Sequence, residues 1–187
     1  PNLYTLTARV MKDGACTEIA CRRIGFRQIR REGSQVYLNG DLLKLRGINR
    51  HDIHPVTGRA ITHELVEKDV RLFKEANINF IRTSHYPPRP DFLDLCDEYG
   101  IYVEDETAVA FLGQEIDCRE NDPEFTGKFM NQFAELLERD RSHSSVILWS
   151  LANESFWGRN LAMENAYAHQ EDPGRLTIFS YPITQRE

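Results

Sequence analysis

Two kinds of hydrophobic pattern divide the chain. From residue 3, "LYTLTARV" alternates apolar and polar side chains with a period of two, and "TEIACRRIGFRQI" alternates again after a turn at Gly14. Successive side chains of a strand point to opposite faces, so this pattern predicts a hairpin from a β-domain with one face buried. Gly33-Ser34 interrupts it, and "QVYLNGDLLKLRGIN" contains a second tight turn at Asn39-Gly40. Beyond that point the strands read as continuous apolar runs: residues 45–48, "INFIRT", "IYVED", "VILWSL" and "LTIFSY". Between them the apolar period changes to three and four, the signature of helices. Thr62 is placed to cap a helix carrying Leu65, Val66, Val70, Phe73 and Ala76. Pro90 opens a second helix, with Phe92, Leu93, Cys96 and Tyr99 on its apolar side, and Gly100 ends it. Asp122-Pro123 opens a third, carrying Phe125, Phe129, Phe133, Leu136 and Leu137, and residues 161–168 form a fourth.

Strands that are apolar throughout are covered on both faces, and helices between them indicate a parallel α/β sheet. An open doubly wound sheet and a closed (β/α)₈ barrel both meet that description. The polar residues favour the barrel. Asn49, Arg50 and His51 follow the first strand; Arg82, Ser84, His85 and Tyr86 the second; Asp105 and Glu106 the third; Asn153 and Glu154 the fourth. Delivery of polar side chains at every carboxyl end is the habit of barrel enzymes. No Gly-x-Gly-x-x-Gly turn and no Walker loop occurs, which disfavours a nucleotide-binding sheet. A full barrel takes about 250 residues, so five strands predict its N-terminal portion. The opening run is already strand-like, an expectation that the chain is cut from something longer.

Composition narrows the partners. The chain has 187 residues, 41% hydrophobic and 28% charged, as in ordinary globular proteins. A net charge of −6 with no basic cluster argues against nucleic acid. No apolar run approaches the roughly 18–20 residues of a membrane span, and no signal peptide is visible at the start. The compartment stays open, cytoplasmic or exported. Cys16, Cys21, Cys96 and Cys118 form no Cys-x-x-Cys pair and read as free buried thiols.

The chemistry concentrates at Glu154. A carboxylate that ends a buried strand must be desolvated or partnered, and a desolvated one keeps its proton for donation to a leaving group. An ion pair with a nearby arginine is the structural alternative. Asn153 beside it can bond a substrate hydroxyl. His51 and His85 suit a polyol pocket better than a metal, since the His-x-His of barrel metallohydrolases is absent. Arg82 is a substrate clamp or the organiser of a second carboxylate. Tyr86 and Trp149 suit a core or a sugar platform equally. His54 and His63 read as loop or cap residues.

Two segments, "NFIRTSHYPPRPDFLDLCDEYGIYV" and "RDRSHSSVILWSLANES", resemble the signatures of glycoside hydrolase family 2, the family of β-galactosidases, β-glucuronidases and β-mannosidases. "LNGDLLKLRGINRHDIHPVTGRAI" is similar to its first barrel strand and following loop, and "YTLTARV…IGFRQI" to the last strands of the preceding immunoglobulin-like domain. The resemblance implies residues 1–31 as the end of that β-sandwich and residues 32–187 as the first part of the TIM barrel. It implies Glu154 as general acid/base, Asn153 as the partner of the sugar 2-hydroxyl, and Arg82 as the arginine beside the nucleophile. His51, His85 and Tyr86 would line the sugar subsite. It implies a retaining exo-β-glycosidase, β-galactosidase-like, with glucuronidase or another family 2 specificity, or a non-catalytic carbohydrate-binding relative, as alternatives. The partners would be a carbohydrate and the rest of the same polypeptide, with self-association into a homo-oligomer left open. The nucleophile, expected after a seventh strand, would lie outside this chain. Ala110 and Leu112 stand where magnesium-dependent members carry Glu and His, so no metal and no cofactor is expected. Ser142 replaces the usual Asn of the second signature.

Overall fold

The computed structural model describes residues 2–112 and 119–180. Strands β1 (Tyr4–Lys12) and β2 (Ala15–Ile24) form the expected antiparallel hairpin. Both of its faces are exposed, not one, with Leu6, Val10 and Ile19 each more than half accessible. Among the described residues it is a two-stranded sheet with no second layer across it, and a lone ribbon cannot bury a face. Strands β3 (Ile29–Glu32), β4 (Gln35–Leu38) and β5 (Asp41–Leu42) make a small meander, turned by Asn39 and Gly40, both at positive φ.

The larger sheet holds five parallel strands, β6 (Gly47–Arg50), β7 (Phe80–Thr83), β8 (Tyr102–Glu106), β9 (Val146–Asn153) and β10 (Leu176–Ser180). Their spatial order is their sequence order. A doubly wound sheet must reverse order at a switch point, whereas a barrel wall runs straight on. This is therefore part of a (β/α) barrel, as the strand-end polar residues implied. Helices α1 (His63–Glu75), α2 (Pro90–Tyr99), α3 (Thr126–Asp140) and α4 (Arg159–Glu171) connect the strands, and a 3₁₀ turn at Pro123–Phe125 leads into α3. Thr62 caps α1 by accepting from the Leu65 N–H, and Gly100 ends α2 in the left-handed conformation that other residues resist. None of these helices is long and apolar enough to cross a membrane.

The core lies between sheet and helices: Ile81, Val103 and Trp149 of the strands meet Val70, Phe92, Leu93 and Phe133 of the helices. Coverage on both faces holds for the inner strands β7, β8 and β9. It fails for β6, where three of four residues are exposed, because β6 is an edge with one neighbour. Cys96 is a buried core thiol, but Cys16 and Cys21 lie on the exposed hairpin, contrary to expectation. Cys118 falls outside the described residues.

Arginines lock the base of β9. Arg27 donates to the carbonyls of Ser144 (2.7 Å) and Val146 (2.5 Å). Arg175 donates to Val146 (2.7 Å), Arg141 (2.7 Å) and His143 (2.8 Å). Burial and the neighbouring Arg175 push Arg27 down to about 10. Ser142 accepts from Arg22 at 2.7 Å, so the serine of the second signature ties the hairpin's end to the barrel.

On the helix side of β8, Asp105 is fully buried against Asp140, itself held by Arg139 at 2.7 and 2.5 Å. Burial and the Asp140 carboxylate push Asp105 well above the carboxylate range, so Asp105 holds its proton in the fold. The folded state thus keeps a proton that the unfolded chain releases above pH ~4, so stability drains away as pH rises from there towards the raised folded value. Asp105→Asn is neutral at every pH and has no such proton to lose. Thermal unfolding from pH 5 to pH 8 should show the variant gaining on the wild type as pH rises; parallel curves would refute the retained proton.

Candidate active site

Three acids in a row end β8, and the two-residue period of a strand sorts them. Asp105 faces the helices; Glu104 and Glu106 face the concave side of the sheet, where Arg82 of β7 stands in register with Glu104. Arg82, 5% exposed, donates from Nε to Glu106 Oε2 at 2.7 Å, with Nη2 2.6 Å from the same oxygen. Its Nε lies 3.3 Å from Glu104 Oε1, and its Nη2 donates to Asn153 Oδ1 at 2.7 Å. Ser150 of β9 donates to Glu106 at 2.7 Å and Ser180 of β10 to Glu104 at 3.0 Å. One guanidinium thereby links β7, β8 and β9. Burial pushes the Glu104 carboxyl up, against the opposing pull of the Ser180 hydroxyl and Arg82. Of these groups, Arg82, Glu104 and Ser180 border a concave cleft of about 530 Å³ that also touches Asn49 and Ile48.

Arg82 also fixes the Asn153 amide. A guanidinium only donates, so the amide oxygen must face it and Nδ2 must face away. Asn153 is fully buried, and its Nδ2 has no hydrogen-bond partner among the described residues. A buried donor of this kind costs roughly 1–3 kcal/mol unless something accepts from it.

Glu154 follows at φ +41, its backbone N–H donating to Ser180 O at 3.1 Å. Its side chain is exposed. The desolvation expected of it is therefore not supplied by these residues, because β9 ends at Asn153 and the left-handed turn carries Glu154 out onto the rim.

The histidines are joined through rings. His85 bonds Glu106 Oε1 through Nδ1 at 2.7 Å; with a carboxylate as acceptor, Nδ1 carries the hydrogen and Nε2 is left for a ligand. His51 stands edge-on to His85, centroids 5.4 Å apart, and 5.9 Å from Tyr86. Partial burial, His85 and Arg59 push His51 below its ordinary value, so it is neutral at pH 7. Arg59 stacks on Tyr86 at 4.4 Å.

Of the six sequence-predicted residues, Arg82, Asn153 and His85 share one polar network, His51 and Tyr86 adjoin it, and Glu154 sits at its rim. Other strand-end residues serve packing. Arg50 turns to the helices, pairing with Asp52 and Asp69 and lying 4.5 Å above Phe92. Trp149 is core, its Nε1 bonded to Asp172, which decides against a platform role. His54 accepts backbone N–H groups within its own loop, and His63 opens α1 bonded to Asp91. Of the carboxylates at the centre of the network, Glu106 was named only as a strand-end polar group and Glu104 not at all. The alternation within "VEDE" was the available signal.

A family model described as "Glycosyl hydrolases family 2, TIM barrel domain" matches residues 29–185. The chain belongs to glycosyl hydrolase family 2. It is 38% identical to a Vibrio vulnificus beta-galactosidase over 94% of its length, and 39% identical to the beta-galactosidase BgaC of Bifidobacterium adolescentis over its whole length. It spans 17% and 19% of those relatives. Among solved structures it is similar to Bacteroides uniformis beta-glucuronidase 3 (TM-score 0.83, 32% identity, 95% of this chain and 24% of that one). A Dictyoglomus thermophilum beta-D-glucuronidase gives TM-score 0.85 at 27% identity, covering 95% of this chain and 32% of that one.

Where some members of this family carry the Glu and His that hold magnesium, this chain has Ala110 and Leu112, which offer no side-chain donor. Ala110 bridges to Asn153, and the Leu112 carbonyl accepts from Phe156, so the loop runs beside the site with hydrocarbon side chains. Among the described residues no group of three His, Cys, Asp or Glu is placed to hold an ion. Ala110 and Leu112 do not fit that metal.

Arg82 is the counterion of two buried carboxylates, so Arg82→Met should cost about 3–5 kcal/mol in chemical unfolding at pH 7. Protonation of Glu104, whose carboxyl burial already pushes up, relieves the stranded charge, and the loss should shrink as pH falls. A loss independent of pH would show that Arg82 matters here through packing alone.

Proposed function

We propose that this segment forms part of the active site of a retaining exo-β-glycosidase, β-galactosidase-like in specificity. The observation that carries the reading is the Asn153 amide, oriented by Arg82 with a buried, unpartnered donor facing away from the guanidinium and followed at once by Glu154. A sugar hydroxyl is the acceptor such a donor suits, and the neighbouring carboxyl then lies beside the glycosidic bond.

Glu154, as its carboxylic acid, protonates the glycosidic oxygen while a carboxylate attacks the anomeric carbon; the C–O bond breaks and the leaving sugar takes the proton. Water then attacks the covalent intermediate, giving its proton to Glu154 and releasing the nucleophile. Substrate seated over the rim supplies the desolvation that Glu154 lacks alone. The nucleophile comes from another barrel strand, about 5–5.5 Å from Glu154, since Glu104 and Glu106 are both engaged by Arg82. Coverage of under a fifth of the curated relatives supports reading the segment as one piece of a longer enzyme whose remaining strands pair with the open edges β6 and β10. Residues 1–31 are then the end of an immunoglobulin-like domain, in keeping with a family match that starts at residue 29. The same reading needs no metal or other cofactor.

A glucuronidase specificity is the second reading, favoured by the solved glucuronidases of similar fold. Aryl β-galactoside and β-glucuronide tested side by side on the complete enzyme separate the two.

Glu154→Ala in the complete enzyme should cut hydrolysis of disaccharides, whose alkoxides are poor leaving groups, by roughly 10²–10⁴-fold. Aryl glycosides with acidic phenols should keep most of their glycosylation rate and accumulate the covalent intermediate. Azide, which needs no base, should restore turnover and yield the β-glycosyl azide. Equal slowing of both substrate types without azide rescue would remove Glu154 from acid/base chemistry.

A further inference from the structure

Trp157, three residues past Glu154, is half exposed, whereas the chain's other tryptophan, Trp149, is fully buried. A free, mobile loop would explain an exposed indole, but the backbone here is pinned on both sides. Upstream, the Phe156 N–H donates to Leu112 O at 3.1 Å. Downstream, Gly158 presses against Glu120 so closely that a Cβ would stand 2.6 Å from the Glu120 carbonyl oxygen, which only glycine permits. The Asn160 N–H donates to that same carbonyl at 2.9 Å and the Arg159 N–H to Asn121 Oδ1 at 3.0 Å, fixing the start of α4. The indole also has a backing: its centroid lies 5.8 Å from Phe179, tilted by 43°, and Phe179 packs on the core. Phe179 precedes Ser180, whose carbonyl accepts the Glu154 N–H. Glu154, Trp157 and Phe179 therefore share the carboxyl-end rim of β9 and β10.

We propose that Trp157, buttressed by Phe179, is the platform for the leaving-group sugar: an aglycone subsite that stacks the apolar C–H face of a hexopyranosyl unit. The inference rests on the glycosidase reading and deepens it. A general acid works on the leaving-group oxygen, so a rigid aromatic surface beside the acid lies where the departing sugar must sit. A pyranose ring presents axial C–H bonds on one face, which suit the electron-rich face of an indole, and a preordered ring contributes that contact without an ordering cost.

The test compares leaving groups in the complete enzyme. A disaccharide places a sugar on the platform; a glycosyl fluoride carries the same donor sugar with a leaving group too small to reach it. Trp157→Ala should lower kcat/KM for the disaccharide about tenfold or more, while the glycosyl fluoride changes less than about twofold. Transfer to an added sugar acceptor, relative to hydrolysis, should fall by the same factor as the disaccharide rate, and Trp157→Phe should recover part of both. The fluoride rate also reports that each variant is folded; if Trp157→Ala does not fold, the partial loss in Trp157→Phe decides. Equal losses on disaccharide and fluoride, or no loss on either, would overturn the platform. Failure of the underlying reading is distinguishable: wild-type enzyme would then turn over neither compound.

Discussion

A single buried guanidinium organises this half-barrel. Glu104 and Glu106 project from one strand onto the same face, and two carboxylates that close to each other and to a low-dielectric wall cannot both ionise unaided. Arg82 meets both and still has an N–H for Asn153. A lysine could not replace it, because one compact ammonium cannot address three partners in fixed directions. Loss of the cation would therefore disturb more than charge balance: it would release the amide that Arg82 holds in one orientation, and with it the geometry of the strand end that leads to Glu154.

Strand β9 is held by arginines at both ends. At its base, Arg27 and Arg175 converge on the Val146 carbonyl; at its tip, Arg82 holds Asn153. Between them Trp149 fills the helix side and Ser150 reaches Glu106 on the concave side. The sheet divides its polar residues by face. Arg50 and Asp105 are spent on helix–strand contacts, and Arg82, Glu104, Glu106 and Asn153 on the concave side. That division follows from the two-residue period of strands, and it lets stability and chemistry occupy adjacent positions in the chain.

The same period explains what could be read from the sequence. The four helices and the inner strands were legible because 3.6-residue and continuous apolar patterns leave little choice, and caps such as Thr62 and Gly100 marked their ends. Arg82, Asn153 and His85, which share one polar network, were legible as strand-end polar groups, and the roles expected of them came from family resemblance. The grouping of Asp105 with Glu106 was misleading, since neighbours on a strand face opposite ways. Burial at the edges was not legible either: the hairpin's alternation promised a covered face, and β6 read as an inner strand, yet coverage depends on which elements stand alongside. The exposure of Glu154 follows from a left-handed turn that composition does not signal.

The central claim is that Arg82 turns the Asn153 amide so that its Nδ2 receives a sugar hydroxyl beside Glu154. The most direct measurement is a double cycle on the complete enzyme, pairing Asn153→Ala with a substrate lacking the sugar 2-hydroxyl. If the amide and that hydroxyl bond each other, the loss of kcat/KM caused by Asn153→Ala on the ordinary substrate should largely vanish on the 2-deoxy substrate. An equal loss on both substrates would contradict the account and leave Asn153 as a support for Arg82 alone.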